Sequence, residues 1–132
     1  MLTRTVRKFL TQPRVARLAT LGRDGYPHIV PIYFMLDGDD IIFGSDDDER
    51  KVVNARRRPK GAVVIGGEPD ADDAGYLIQG DLRVEKSASR ALMRKMLRRY
   101  ESAKEAREFE AEWTEGKLVL IRLKPRKVIR VW

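Results

Sequence analysis

Cysteine is absent from the 132 residues and histidine occurs once, as His28. The first absence removes thiolate nucleophiles, disulfide frameworks, iron–sulfur clusters and thiolate zinc sites. The second excludes a multi-histidine metal centre within one chain, and it leaves any serine nucleophile a single base to rely on. Long apolar runs are missing too: no segment has the roughly 18 or more apolar residues of a membrane helix. The opening MLTRTVRKFL lacks the apolar stretch and small-residue site of a secretory leader, so a cytoplasmic location is the expectation.

Hydrophobic residues make up 42% and charged residues 36%, too apolar for a disordered tail and too charged for a membrane protein. A length of 132 residues suits one domain spanning 1–132, with an ordinary hydrophobic core that needs neither disulfide nor metal. Lys and Arg number 27 against 20 Asp and Glu, a net charge of +7. The excess points to an anionic partner, whether a phosphorylated cofactor, a polyanionic small molecule or nucleic acid. Only Arg56, Arg57 and Arg58 form a tight basic run, and acids are interleaved elsewhere, a poor match to a nucleic-acid-binding arm.

Periodicity predicts a helix from Thr3 to Leu10, capped by Thr3 or Thr5 and closed by Pro13. Arg14 to Leu21 alternates as a strand, Gly22-Arg23-Asp24-Gly25 is a hairpin turn, and His28 to Leu36 is a second strand. Pro27 and Pro31 flank and interrupt it, which predicts an edge or a bulge. After the turn Asp37-Gly38-Asp39, Ile41 to Gly44 gives a third strand, so the three form an antiparallel meander. Ser45 with Asp46, Asp47 and Asp48 is a helix start, and that helix runs through Lys51 and Asn54 to about Arg58. Gly61 to Ile65 and Tyr76 to Val84 are strands separated by a loop from Gly66 to Ala74, with a bulge at Gly80. From Ser87 the period turns helical through Leu92, Met93, Met96, Leu97 and Tyr100, breaks near Ser102, and resumes through Ala106, Phe109 and Trp113. Gly116 stops it, and Leu118 to Trp132 is a last strand bent at Pro125. The string is α+β, a small antiparallel barrel with segregated helices; an OB-type or SH3-like barrel gives a similar order.

Phe43-Gly44-Ser45, followed by Arg50, Lys51 and Asn54, can present amides, a hydroxyl and two cations to a phosphate. A capped surface helix accounts for the same residues, and Asp46, Asp47, Asp48 and Glu49 repel an anion unless they face solvent. His28 on an apolar strand reads as a hydrogen-bonded, partly buried residue or as a site residue. Arg56, Arg57, Arg58 and Lys60 are either a solvated helix end complementing the dipole or a nucleic-acid contact. Trp113 and Trp132 serve as packing residues or as stacking surfaces for a ring.

Together, Arg14-Val15-Ala16-Arg17-Leu18-Ala19-Thr20, Asp24-Gly25-Tyr26-Pro27-His28-Ile29-Val30-Pro31-Ile32-Tyr33-Phe34, Lys51-Val52-Val53-Asn54, Pro59, Gly75 to Gly80 and Ile121 to Trp132 resemble the pyridoxamine 5'-phosphate oxidase-like, flavin-binding split-barrel family over nearly the whole chain. The resemblance implies a six-stranded antiparallel split β-barrel with peripheral helices, forming a homodimer with two FMN or deazaflavin sites at the subunit interface. It implies that His28, Ile29, Val30, Pro31, Ile32 and Tyr33 run beside the isoalloxazine, that Gly44 and Ser45 lie near the ribityl-phosphate, and that Arg50 and Lys51 bind the phosphate. Asn54 then supports that helix, while Tyr76 to Gln79 and Trp132 approach from the other subunit. Glu49 and the acidic run depart from the family pattern. The chain also lacks the C-terminal extension with which true pyridoxamine 5'-phosphate oxidases contact their substrate phosphate, so vitamin B6 oxidation is not expected.

The leading expectation is an FMN-dependent oxidoreductase with hydride transfer at flavin N5 to a small substrate. No side chain is assigned as acid or base, Tyr33 and His28 being the nearby candidates. A reductase using the deazaflavin coenzyme F-420 is the alternative, its polyanionic tail drawn to Arg56, Arg57, Arg58 and Lys60. A non-enzymatic flavin carrier or a cofactor-free module is the alternative of another class, and nucleic-acid binding is a weaker third.

Overall fold

The computed structural model describes residues 2–86, 89–113 and 116–132. Helix α1 (Arg4–Leu10) begins where Thr3 Oγ1 accepts the Val6 amide at 3.2 Å, a cap that contributes about 1 kcal/mol, and it buries Val6 and Leu10. Strands β1 (Ala16–Leu21) and β2 (Pro27–Ile32) then pair across the expected hairpin turn. Pro27 and Pro31 lie opposite Leu21 and Arg17. A residue without an N–H cannot exchange both bonds of a hydrogen-bonded pair, so these are the non-bonded positions and the prolines turn toward the free edge of β2. That edge keeps only the Ile29 amide between them and is a poor template for a further strand.

The remaining elements are β3 (Met35–Asp37), β4 (Asp40–Asp46), α2 (Arg50–Arg57), β5 (Lys60–Gly66), β6 (Gly75–Glu85), α3 (Arg90–Leu97), α4 (Ala103–Ala111) and β7 (Leu118–Arg130). All the strands join one antiparallel sheet in the order β2-β1-β5-β6-β7-β4-β3. The architecture is mixed α and β, as expected, but the sheet differs from the expected barrel. It has seven strands and not six, and it is open, since no ladder joins β2 to β3 among the described residues. Nor is there a three-stranded meander: the two hairpins stand at opposite ends of the strand order.

The cause lies at Tyr33 and Phe34, where the expected single strand from His28 to Leu36 breaks. The Phe34 amide donates to the Tyr100 hydroxyl at 3.1 Å, and that hydroxyl lies 3.0 Å from the Phe34 carbonyl and 2.8 Å from the Arg14 carbonyl. A side chain from the α3–α4 connection thus satisfies backbone groups that a neighbouring strand would otherwise take.

The helix expected from Ser45 also starts later. Ser45 and Asp46 lie in β4 opposite Val119 and Leu118, and the Asp47 amide extends that pairing by donating to the Lys117 carbonyl at 2.8 Å. α2 begins only at Arg50, with Glu49 at its N-cap making no side-chain capping bond. Two other expectations hold. The β6–β7 register shifts at Gln79/Gly80, opposite Pro125, where a side chain on Gly80 would run into the Lys124 carbonyl. The helical region breaks at Ser102, whose hydroxyl caps α4 by accepting the Glu105 amide at 3.1 Å. Ser87, where the helical period starts in the sequence, lies outside the described residues.

The main core gathers Leu18, Phe34, Phe43, Ile78 and Ile121, and a second cluster packs Met93 and Met96 of α3 against Ile42 and Leu120. β4 is therefore buried on both faces. Among the described residues no helix is long and apolar enough to cross a membrane.

Candidate functional site

Three of the cavities among the described residues concern the expected site. The first, about 420 Å³, opens between the β1–β2 turn and the start of α2, and Arg23, His28, Arg50 and Asn54 line it together with Asp24. His28 Nδ1 is buried there without a hydrogen-bond partner. α2 begins beside it with no capping side chain, so its first amides and the positive end of its dipole are available to an anion. Asn54 is buried, and its Nδ2 donates to Thr20 Oγ1 at 3.1 Å, which fastens α2 to β1.

The second cavity, about 410 Å³, shares Pro27 with the first and lies over the sheet. Its floor is made of small residues, Ala19, Gly61, Ala62 and Gly80, and Lys60, Asp81 and Arg126 stand at its rim. Arg126 and Lys60 both donate to Asp81, at 2.6 and 3.2 Å, and hold its carboxyl below the usual carboxylate range.

The third, about 450 Å³, lies between the end of β4 and the α3–α4 pair. Ile32, Tyr33, Gly44 and Ser45 form one wall, Met93, Met96, Phe109 and Trp113 the other, and Asp46, Glu49 and Glu112 supply the charge. Tyr33 stacks on Tyr100 with ring centroids 3.9 Å apart and planes 3° from parallel, and its hydroxyl donates to Glu101 Oε1 at 2.6 Å. That bond, with burial and the Glu101 charge, pushes the phenol up to about 12 and draws the Glu101 carboxyl below its ordinary value.

The family model for pyridoxamine 5'-phosphate oxidase matches residues 2–132. The chain belongs to the pyridoxamine 5'-phosphate oxidase family. Solved structures share its fold. An F420 reductase is 21% identical with a TM-score of 0.76, and the match covers 97% of this chain and 98% of that one. A conserved hypothetical protein from Mycobacterium tuberculosis is 22% identical with a TM-score of 0.75, over 98% of this chain and 84% of that one. General Stress Protein 26 from Bacillus anthracis is 16% identical with a TM-score of 0.68, over 94% and 88%. No curated protein matches the chain.

In this member of the pyridoxamine 5'-phosphate oxidase family, the residues expected at a flavin site do not share one cavity. His28, Arg50 and Asn54 meet in the first; Gln79 lines the second; Ile32, Tyr33, Gly44 and Ser45 line the third. Ile29, Val30 and Pro31 sit along the β2 edge, and Ile29 is 62% exposed. Lys51 is ion-paired with Glu49. Tyr76 is buried with its ring edge-on to Phe9 of the same chain, while Trp132 is exposed beyond β7 and packs beside Gly67 and Gly75. Sequence reasoning missed Arg23, which reads only as a turn residue, and Glu101 and Glu112, whose positions depend on how two short helices fold back.

A flavin mononucleotide offers a dianionic phosphate and a flat ring, and the first two cavities fit those parts. The orphaned His28 nitrogen, the Arg23 and Arg50 guanidiniums and the open end of α2 suit the phosphate. The smooth floor of Ala19, Gly61 and Ala62 suits a ring.

Proposed function

We propose that this chain is one subunit of a homodimeric, cytoplasmic, flavin-dependent oxidoreductase that binds FMN. The observation that carries the reading is the cationic cavity at the start of α2, where a buried, partnerless His28 nitrogen lies beside Arg23 and Arg50 in a protein of this family. Arg50 and the first α2 amides hold the phosphate, with Lys51 joining on release from Glu49. The β2 backbone from His28 to Ile32, followed by Tyr33, lies along the ring, whereas Gly44 and Ser45, expected near the ribityl-phosphate, face the third cavity and take no part in holding it. Gln79 and Trp132 belong to the facing subunit, consistent with Ile29, Val131 and Trp132 being 62%, 50% and 53% exposed, while Tyr76 is held in its own core against Phe9. The bound flavin supplies a hydride acceptor or donor at N5. The protein's own part is to orient it and keep water from its face. Tyr33 holds its proton far above neutral pH, so it acts at pH 7 as a hydrogen-bond donor and not as a base.

Two specific observations favour other readings. The fold shared with an F420 reductase, together with Arg56, Arg57, Arg58 and Lys60, favours a deazaflavin. The Lys51–Glu49 ion pair, which occupies a cation expected at the phosphate, favours a module without cofactor. The test is an absorption spectrum of the freshly purified protein, the mass of any released cofactor, and the same for Arg50→Glu and Lys51→Glu. FMN released from the wild type and lost in Arg50→Glu is the expected result. A deazaflavin mass moves the assignment to that coenzyme, and a colourless protein that ignores both added flavins overturns the enzyme reading.

A further inference from the structure

We propose that the cavity between β4 and the α3–α4 pair binds an amphipathic organic cation, an ammonium head on a flat apolar body. As a substrate site it rests on the oxidoreductase reading; as a binding site it does not. Its volume, about 450 Å³, is that of a small-molecule pocket. Met93 and Met96 give it adaptable, polarisable walls, and Phe109 and Trp113 give it aromatic faces that attract cations. Trp113 already carries one, with the Arg90 guanidinium 5.3 Å from its ring centroid and donating to its carbonyl at 3.4 Å; Glu110, outside the cavity, lies 3.6 Å from Arg90 but is bound chiefly by Arg94, at 2.6 and 2.7 Å.

The charge of the cavity is opposite to that of the protein. Its described lining holds Asp46, Glu49 and Glu112 and no lysine, arginine or histidine, in a chain of net charge +7. Glu49 is paired with Lys51, but Asp46 and Glu112 make no ion pair among the described residues. The C-terminal end of α4 adds to this: α1, α2 and α3 each carry two basic residues in the last turn and α4 carries none, so the negative end of its dipole beside Glu112 meets only the Arg90 guanidinium of α3, which donates to the Trp113 carbonyl at 3.4 Å. An anion such as a flavin phosphate is repelled here, and a bare metal ion finds mostly hydrocarbon in place of oxygen ligands. A cation with an apolar body satisfies both features. Gly44 keeps the wall close, since a Cβ there would lie 2.6 Å from Met93 Sδ and drive that side chain toward the cavity.

The test uses the full chain carrying Trp132→Phe, so that Trp113 is the remaining tryptophan, titrated with benzyltrimethylammonium, benzyl alcohol and phenylacetate at constant ionic strength. Trp113 fluorescence should saturate with the cation at a Kd about 10-fold or more below either comparison compound. Asp46→Asn with Glu112→Gln should erase that preference, and Gly44→Ala should weaken all binding while circular dichroism stays native. Equal affinity for the three probes, an unchanged preference in the double variant, or displacement of the cation by FMN would overturn the proposal. A colourless wild-type protein whose Trp132→Phe form still selects the cation sinks only the flavin reading, and a yellow wild-type protein whose Trp132→Phe form lacks that selectivity sinks only this one.

Discussion

The start of α2 has no capping side chain and the last turn of α4 no basic residue of its own, with only Arg90 of α3 reaching the α4 end, and the two termini face cavities of opposite sign. At α2 the open amides stand beside Arg23, His28 and Arg50; at α4 the negative end of the helix stands beside Glu112, with Asp46 lining the same cavity. A helix dipole takes its effect from the charges around its end, and here each cavity reinforces the terminus it meets. One basic chain thereby separates a place for an anion from a place for a cation, with β2 and Tyr33-Phe34 leading from one to the other.

The largest way to break that arrangement is at the joint. Phe34 is fully buried between the two hairpins, and Phe34→Ala should cost about 3–5 kcal/mol in urea unfolding, with FMN and benzyltrimethylammonium binding both weakened. Next comes the separation itself: Arg50→Glu should weaken FMN about 100-fold by isothermal titration while leaving cation binding within error. Equal losses of both ligands would mean one continuous site. Asn54→Ala leaves the buried Thr20 hydroxyl without its partner and should cost about 1–3 kcal/mol, and Asn54→Leu with Thr20→Val should recover most of it. The effect should reach the first cavity, lined by Asn54, and the second, lined by Thr20, and leave the third unchanged.

Smaller still is the Tyr33–Glu101 bond, worth about 1 kcal/mol at pH 7 when Tyr33→Phe is compared with wild type. A phenol raised from 10 to about 12 stabilises the fold fully below pH 10 and loses that contribution as pH climbs toward 12. A carboxyl drawn below 4.5 stabilises the fold above that value and loses its contribution as the solution is acidified through the lowered pKa. Stability measured across pH should therefore fall on both sides in the wild type and lack the Tyr33 component on the alkaline side in Tyr33→Phe. Smallest is the exposed Arg94–Glu110 pair on α3 and α4, where Glu110→Gln should lower stability in urea unfolding less than any change above, and less still in high salt.

Much of the site was legible residue by residue and little of it as a constellation. Arg50 and Asn54 stand out from their spacing on a short helix, and His28 from being the lone histidine on a strand; the three do meet. Gly44 and Ser45 carry the same small, polar signature, yet the Asp47–Lys117 backbone bond keeps them in β4 and turns them toward α3. The acidic run that looked like the first turn of a helix ends a strand, because a cap is local chemistry while a ladder with β7 engages several residues at once.

The sequence by itself determined most of the elements: a two-residue alternation for the strands, the 3.6-residue period for the helices, a threonine cap at the first helix, the break near Ser102, and the bulge at Gly80. These follow from neighbours along the chain, whose steric and hydrogen-bonding preferences act within a few residues. Only the tertiary structure decided that β2 and β3 are the two edges of an open seven-stranded sheet, and that Asp46 and Glu112 face one cavity. A hydroxyl from Tyr100, 66 residues from Phe34, made the first choice, and the fold-back of α4 made the second. Contacts between residues so far apart in the chain have no periodicity to announce them.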